Sequence, residues 1–487
     1  MQIYLKGQGA GYEAEHVARI FYPGAVLRED YPREGDLVLA LASRYGLLAV
    51  VRLEGRVTWA ALPTTPDAER EYPLCRLLYG LLRRRTGLRP PWGMMTGVRP
   101  VRIVHDLRAA GRSGEEIHEH FCGHFDCSEQ RYKTAVRIAN IQEPVLKAAG
   151  PMDYSLYAGI PFCPSRCSYC SFVSRTTGDK ATRALMQPYV DKLCVELGAI
   201  RRTAGECGLN LKTLYIGGGT PTSLSAAQLR QLMGCMAKTF ALAALEEYTV
   251  EAGRPDCTDA EKLAVLKEYG ATRISINPQT FSDEVLHNIG RRHTAQDILD
   301  CYRAARRAGH ENINMDLIAG LPGDTVEGFT HSLETAIGLA PENITVHTLT
   351  LKRASNLVVE HQSCAYDDVA AMLDRCTLLE KAGYHPYYLY RQKGTLQNLE
   401  NIGWCKPGYE GLYNIYIMEE VHSILSAGAG GSTKLVQPGA RHARIERIFN
   451  YKYPAEYVSG FDTVLARKKG VNEFYARYEH PETADRL

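Results

Sequence analysis

Three cysteines carry the most specific chemical signal in this 487-residue sequence. Cys163, Cys167 and Cys170 stand in Tyr157-Ala-Gly-Ile-Pro-Phe-Cys163-Pro-Ser-Arg-Cys167-Ser-Tyr-Cys170. Three close thiols on one loop cap three irons of a [4Fe–4S] cubane and leave the fourth iron without a protein ligand. An open iron is what S-adenosylmethionine (SAM) needs. Its methionine amino and carboxylate groups chelate the metal, and an electron from the cluster cleaves the sulfonium to release a 5′-deoxyadenosyl radical. The competing reading is structural zinc, which takes four ligands. His120 and His124 lie well upstream, and His287 and His293 far downstream.

Groups suited to holding SAM recur at the ends of predicted strands. Gly217, Gly218, Gly219 and Thr220 follow the second strand; glycines let backbone approach a ligand closely. Glu251 ends the third strand, Gln279 follows the fourth and Asp316 lies within the fifth. A carboxylate in a β-branched strand is costly to bury without a partner, and ribose hydroxyls are apt partners. Arg291 offers a forked donor for the methionine carboxylate.

The elements that must position these residues alternate. Strands are predicted at 155–160, 213–216, 248–251, 273–277, 312–318 and 344–349. Helices are predicted at 182–207, 226–240, 259–269, 282–289, 295–308 and 326–339. Such alternation implies a parallel sheet with right-handed crossovers. Six units make an α/β, TIM-like partial barrel with its active groups at the C-terminal strand ends. We expect this barrel over residues 151–370, after an α+β accessory domain at 1–150 and before a mixed, mostly helical C-terminal domain at 371–487. In the first, strands are predicted at 2–5, 36–41 and 47–53 and helices at 74–86, 113–121 and 128–149. In the last, a helix at 370–382 precedes a strand at 385–391.

Charge is balanced, 57 basic against 55 acidic residues, so no global pull toward nucleic acid or anionic membrane is expected. No run of about 18 apolar residues predicts a membrane span, and the N-terminus lacks an apolar signal core. The expected location is cytoplasmic, with reduced thiols. The other eleven cysteines (75, 122, 127, 194, 207, 235, 257, 301, 364, 376 and 405) read mainly as structural thiols; Cys122 and Cys127, near His120 and His124, match no metal spacing. Arg83, Arg84, Arg85, Arg89, Arg99 and Arg102 read as a solvated basic face, or as a docking surface for an anionic partner.

At the quoted motifs the chain resembles the oxygen-independent coproporphyrinogen III oxidase family of radical SAM enzymes, particularly its HemZ-type branch. The resemblance implies a [4Fe–4S] cluster on Cys163, Cys167 and Cys170. It implies SAM contacts from Tyr157, Tyr169, Gly217, Gly218, Gly219, Thr220, Glu251, Gln279, Arg291, Asp316, Thr350 and, more weakly, Ser432. Gly159 and Phe172 depart from the best-known branch, which has His and a fourth Cys there; the HemZ-like branch shares both departures. The implied reaction is oxidative decarboxylation of two propionates of coproporphyrinogen III, giving protoporphyrinogen IX in anaerobic haem biosynthesis. Implied partners are the tetrapyrrole and an electron donor such as flavodoxin or ferredoxin; no residue is assigned a catalytic role. Arg175, Arg292, Lys352, Arg353 and Arg391 are candidates to meet the other propionates. The aromatic segment from Tyr387 to Trp404 reads as core strand or as a cover for a flat ligand. Alternatives are a related methyltransferase or haem-modifying enzyme, or a haem-binding chaperone without oxidase activity, for which His347, His385 and His422 are available.

Overall fold

The computed structural model describes residues 1–7, 10–350, 367–392, 395, 399–440 and 443–478. The chain folds as two compact units. The first comprises Met1–Ala139, Thr348–Leu351 and Leu389–Asn401; the second comprises Asn140–His347, Lys352–Tyr388 and Ile402–Leu487.

The first unit holds a sheet of five strands in the order β2-β1-β3-β4-β5. These are β1 (Gln2–Lys6), β2 (Val26–Arg28), β3 (Leu37–Ala42), β4 (Gly46–Leu53) and β5 (Arg56–Pro63). Helices α1 (Tyr12–Phe21) and α2 (Glu71–Thr86) supply Val17, Leu74, Leu78 and Leu82 to its core. Two helices here escaped prediction for a physical reason. Gly11 opens α1 without a side-chain cap, and α3 (Pro100–Ala109) starts on a proline inside the Pro/Gly-rich connector. Proline at a first helical position costs nothing, because that N–H has no helical partner anyway. Helix α4 (Gly114–His118) runs into a π-helical turn, Glu119–His124, before α5 (Glu129–Ala148). The basic cluster is partly consumed internally: Arg83 pairs with Asp126 at 2.7 Å and Arg85 donates to the Leu53 carbonyl. Within this unit Arg391 is buried, donates to the Met95 carbonyl and covers the Trp92 ring. Those contacts commit it structurally rather than to a propionate. Lys352, Arg353 and Cys364 lie outside the described residues.

The second unit is built on an open mixed sheet, and the expected alternation is present. Strands β6 (Asp153–Ile160), β9 (Asn210–Gly218), β10 (Glu247–Glu251), β11 (Arg273–Ser275), β12 (Ile313–Ala319) and β13 (Asn343–Thr348) are neighbours in that order. The intervening short pair is β7 (Phe162–Cys163) and β8 (Arg175–Thr176). Crossover helices are α6 (Lys180–Glu206), α7 (Ala226–Thr239), α8 (Ala260–Glu268), α9 (Asp283–Asn288), α10 (Ala295–Arg307) and α11 (Val326–Leu339). Local chemistry sets their starts: Asp179, Ser225, Asp259, Ser282, Thr294 and Thr325 each accept a backbone N–H as N-cap, worth about 1 kcal/mol apiece. The strands are buried almost continuously, as in sheets covered on both faces.

The C-terminal segment adds helices α12 (Asp367–Asp374), α13 (Thr377–Lys381), α14 (Leu412–Glu419), α15 (Pro454–Ser459), α16 (Phe461–Arg467) and α17 (Lys469–Ala476). It also adds strands at both sheet edges. At one edge lie β14 (His385–Arg391) and β15 (Glu400–Cys405), the latter antiparallel to β13. At the other, β16 (Ser423–Ala427) pairs parallel with β6 and leads to β17 (Ser432–Val436) and β18 (Ile445–Phe449). Tyr387, Tyr388 and Trp404 are core residues of this edge, and Gly403 leaves room for the Tyr388 ring. Among the described residues no helix is long and apolar enough to cross a membrane.

Candidate functional site at the strand ends

The cysteine loop leaves the C-terminal end of β6. It is closed by β7 pairing with β8 and by the Thr177 amide donating to the Cys163 carbonyl at 2.9 Å. Inside it the Cys170 amide donates to the Cys167 carbonyl, and the Ser168 amide to Ile289. All three thiols are free of disulfides. Without iron, burial pushes the Cys163 thiol up and the Cys170 thiol to about 11; metal binding would displace those protons.

The glycine run after β9 is required by packing. An added Cβ on Gly219 would stand 2.6 Å from the Phe162 oxygen and 2.9 Å from Cys163 Sγ. On Gly218, with φ at +112°, it would meet the Ile160 backbone at 2.9 Å. The Gly219 amide donates to Ile160 and the Thr220 amide to Phe162, so backbone bonds lock the turn against the cysteine loop. Thr220 Oγ1 lies 3.5 Å from Cys163 Sγ.

The predicted polar residues line the adjoining strands of this unit. Glu251 accepts from the Tyr215 hydroxyl at 2.6 Å, and Tyr215 stacks between Tyr157 and Tyr413. Burial pushes the Glu251 carboxyl up to about 7, with the charge of Asp316 adding to it. Asp316 is opposed by burial too, yet His347 at 3.7 Å and the Asn314 amide hold it below its ordinary range. Gln279 sits at φ +69° and bridges to Leu317, a strained conformation that fixes its position beside Asp316. Arg291 is buried, donates to the Asn277 carbonyl at 2.6 Å and to the Tyr169 hydroxyl at 3.3 Å, and keeps an unpartnered Nε. Ser432 opens β17, and its carbonyl accepts from Ser426. Thr350 belongs to the first unit, bridged to Thr395. Arg175 and Arg292 are exposed. His422 is buried against Ser155, and burial lowers its pKa to about 3.

Sequence reasoning missed two features. Arg254, three residues beyond the end of β10, is buried, grips Asp256 through two nitrogens (2.7 and 2.9 Å) and points Nη1 at Cys167 Sγ, 3.4 Å away. Its place just past a strand end was the available signal. The other is what holds the glycine turn after β16. Gly428, at φ +90°, presses on β6: an added Cβ would lie 2.5 Å from the Gly159 carbonyl oxygen. Glu196 of α6, fully buried, accepts from the Gly428 amide, Asn450, Tyr457 and Lys468 at 2.6–2.8 Å.

A model of the Radical SAM superfamily matches residues 157–336, the segment from Tyr157 in β6 into α11. Among curated proteins, the oxygen-independent coproporphyrinogen-III oxidase-like protein HemZ of Bacillus subtilis is 39% identical over 78% of this chain and 77% of its own length. The heme chaperone HemW of the same organism is 33% identical over 62% of this chain and 77% of its length. Among solved structures, coproporphyrinogen III oxidase (HemN) from Escherichia coli, a radical SAM enzyme, aligns at TM-score 0.48 and 23% identity, covering 69% of this chain and 73% of that one. The superfamily match and the similarity to HemZ make this a radical SAM protein, a class that uses a [4Fe–4S] cluster and SAM. Within it, the chain belongs to the HemN/HemZ-like family.

Proposed function

We propose that this chain is an oxygen-independent coproporphyrinogen III dehydrogenase. Each turnover removes a hydrogen atom from the β-carbon of one propionate; loss of carbon dioxide and of one electron to an acceptor then leaves a vinyl group. Two such turnovers convert coproporphyrinogen III to protoporphyrinogen IX. The similarity to a HemZ protein named as like this oxidase carries the reading.

In this reading Cys163, Cys167 and Cys170 would hold three irons of the cluster and leave the fourth open to SAM. The Gly217–Gly219 run, with no side chain in the way, would let SAM approach the backbone closely. Glu251 and Asp316 would meet the ribose hydroxyls, Arg291 the methionine carboxylate, and Tyr157, Tyr169, Gln279 and Ser432 would complete the contacts. When bound, cluster and SAM supply the 5′-deoxyadenosyl radical that takes the hydrogen atom. The Arg291–Tyr169 bond holds both side chains before SAM arrives, reducing the ordering cost of binding. A flavodoxin or ferredoxin supplies the electron.

The similarity to HemW proteins, named heme chaperones, favours a second reading in which the scaffold carries haem without oxidase activity. One assay separates them. The reconstituted protein is incubated anaerobically with coproporphyrinogen III, SAM and reductant, and separately titrated with haem. Vinyl product with carbon dioxide and 5′-deoxyadenosine is expected. S-adenosylhomocysteine would indicate methyl transfer instead, and stoichiometric haem binding without turnover would sink the dehydrogenase.

A further inference from the structure

Three ligand-type side chains meet at the opposite end of the large sheet, away from the cysteine loop. His385 is the first residue of β14, Cys405 the last of β15, and Glu410 lies in the turn before α14. Cys405 pairs with Asn343, the first residue of β13, whereas the cysteine loop follows the last residue of β6. His385 Nε2 lies 2.8 Å from Glu410 Oε1 and 3.3 Å from Cys405 Sγ, and all three atoms fall within 4.8 Å of one another. Cys405 is fully buried; the His385 and Glu410 side chains are 17% and 21% exposed.

With a proton on Nε2, His385 donates to the carboxylate at 2.8 Å, and the Cys405 sulfur stands 3.3 Å from the same nitrogen. With Nε2 bare, it accepts from the thiol but then faces a carboxylate oxygen at 2.8 Å, lone pair to lone pair. Glu410 Oε1 is already in contact with the Gly408 amide at 3.3 Å, and Lys406 is turned to the Ala340 carbonyl. A cation at the centre satisfies all three donors at once. We propose that His385, Cys405 and Glu410 form a zinc site, with water as the fourth ligand. One imidazole, one thiolate and one carboxylate match the ligand types and tetrahedral count of zinc; the soft thiolate disfavours calcium and magnesium. Three protein ligands with water in the fourth position is the open pattern of zinc rather than the closed four-ligand structural one, and the site lies apart from the cysteine loop.

The test is zinc-edge X-ray absorption on the full chain with its iron–sulfur cluster reconstituted, alongside metal analysis of wild type, His385→Gln and Cys405→Ser. One zinc per chain is expected, with a single sulfur at about 2.3 Å and nitrogen or oxygen neighbours at about 2.0–2.2 Å. Each substitution should cut zinc severalfold while leaving cluster iron unchanged. Absence of zinc from the wild type overturns the site. A shell of three or four sulfurs does so too, because it places the metal on the cluster cysteines. The wild-type spectrum decides the matter even if a variant fails to fold.

Discussion

Two glycine turns flank β6, and they are held in different ways. The turn after β9 is fixed by near neighbours: Gly219 and Thr220 donate to Ile160 and Phe162, and the glycines fit because no Cβ has room. The turn after β16 is fixed from afar, by a buried carboxylate on α6 and by Asn450, Tyr457 and Lys468 on the C-terminal segment. Both bring a left-handed glycine against the β6 backbone. The first is written in a short motif beside the site. The second depends on residues more than 200 positions apart. A site of this kind can therefore fail by losing its ligands, its local turn or its remote support, and these failures have different signatures.

Loss of ligands has the largest effect. Cys167→Ala should abolish cluster colour and 5′-deoxyadenosine formation; an intact four-iron cluster in that variant would refute the assignment. Remote support comes next. Glu196→Gln leaves Lys468 buried beside an uncharged amide, and breaking such a pair costs about 3–5 kcal/mol (Glu196 fully buried, Lys468 4% exposed). Denaturant unfolding should show that loss, while a change under about 1 kcal/mol would remove the network from the account.

The turns themselves give the sharpest contrast. Gly428→Ala forces alanine to a left-handed φ against the Gly159 oxygen and should lower stability by about 1–3 kcal/mol with iron content retained. Gly219→Ala has no positive φ to strain; its Cβ instead displaces the Cys163 loop, and reconstituted iron should fall severalfold. Equal iron loss in both would erase the distinction.

The last test is a pH dependence. Glu251, ordinarily near 4.5, is raised by burial to about 7. Between those values the folded protein holds a proton that the unfolded chain releases, so stability falls as pH rises through that window, by up to about 3 kcal/mol. Below it the penalty is absent. Thermal unfolding of the SAM-free protein from pH 4.5 to 8 should show a steeper decline for wild type than for Glu251→Gln; parallel profiles would contradict the shift.

The strand–helix alternation was legible because each crossover helix carries its own Ser, Thr or Asp cap and each parallel strand is buried along nearly its whole length. The cysteine loop and the glycine run were legible because spacing encodes them. What escaped lacks a local signature. Helices α1 and α3 start without side-chain caps. Strand β16 shows its role only by pairing with β6, and the adjacent His422 bonds Ser155 267 residues earlier. Arg254 stands three residues past a strand end, and only the folded loop reveals that its guanidinium faces Cys167 Sγ.

The central claim is that three cysteines leave one iron open for SAM. Electron paramagnetic resonance of the reduced, reconstituted protein tests it directly, with and without SAM. The account predicts a changed spectrum on adding SAM, because the ligand binds the cluster itself, and loss of that change in Arg291→Met with the cluster retained. An identical spectrum with and without SAM, at full four-iron content, would contradict it.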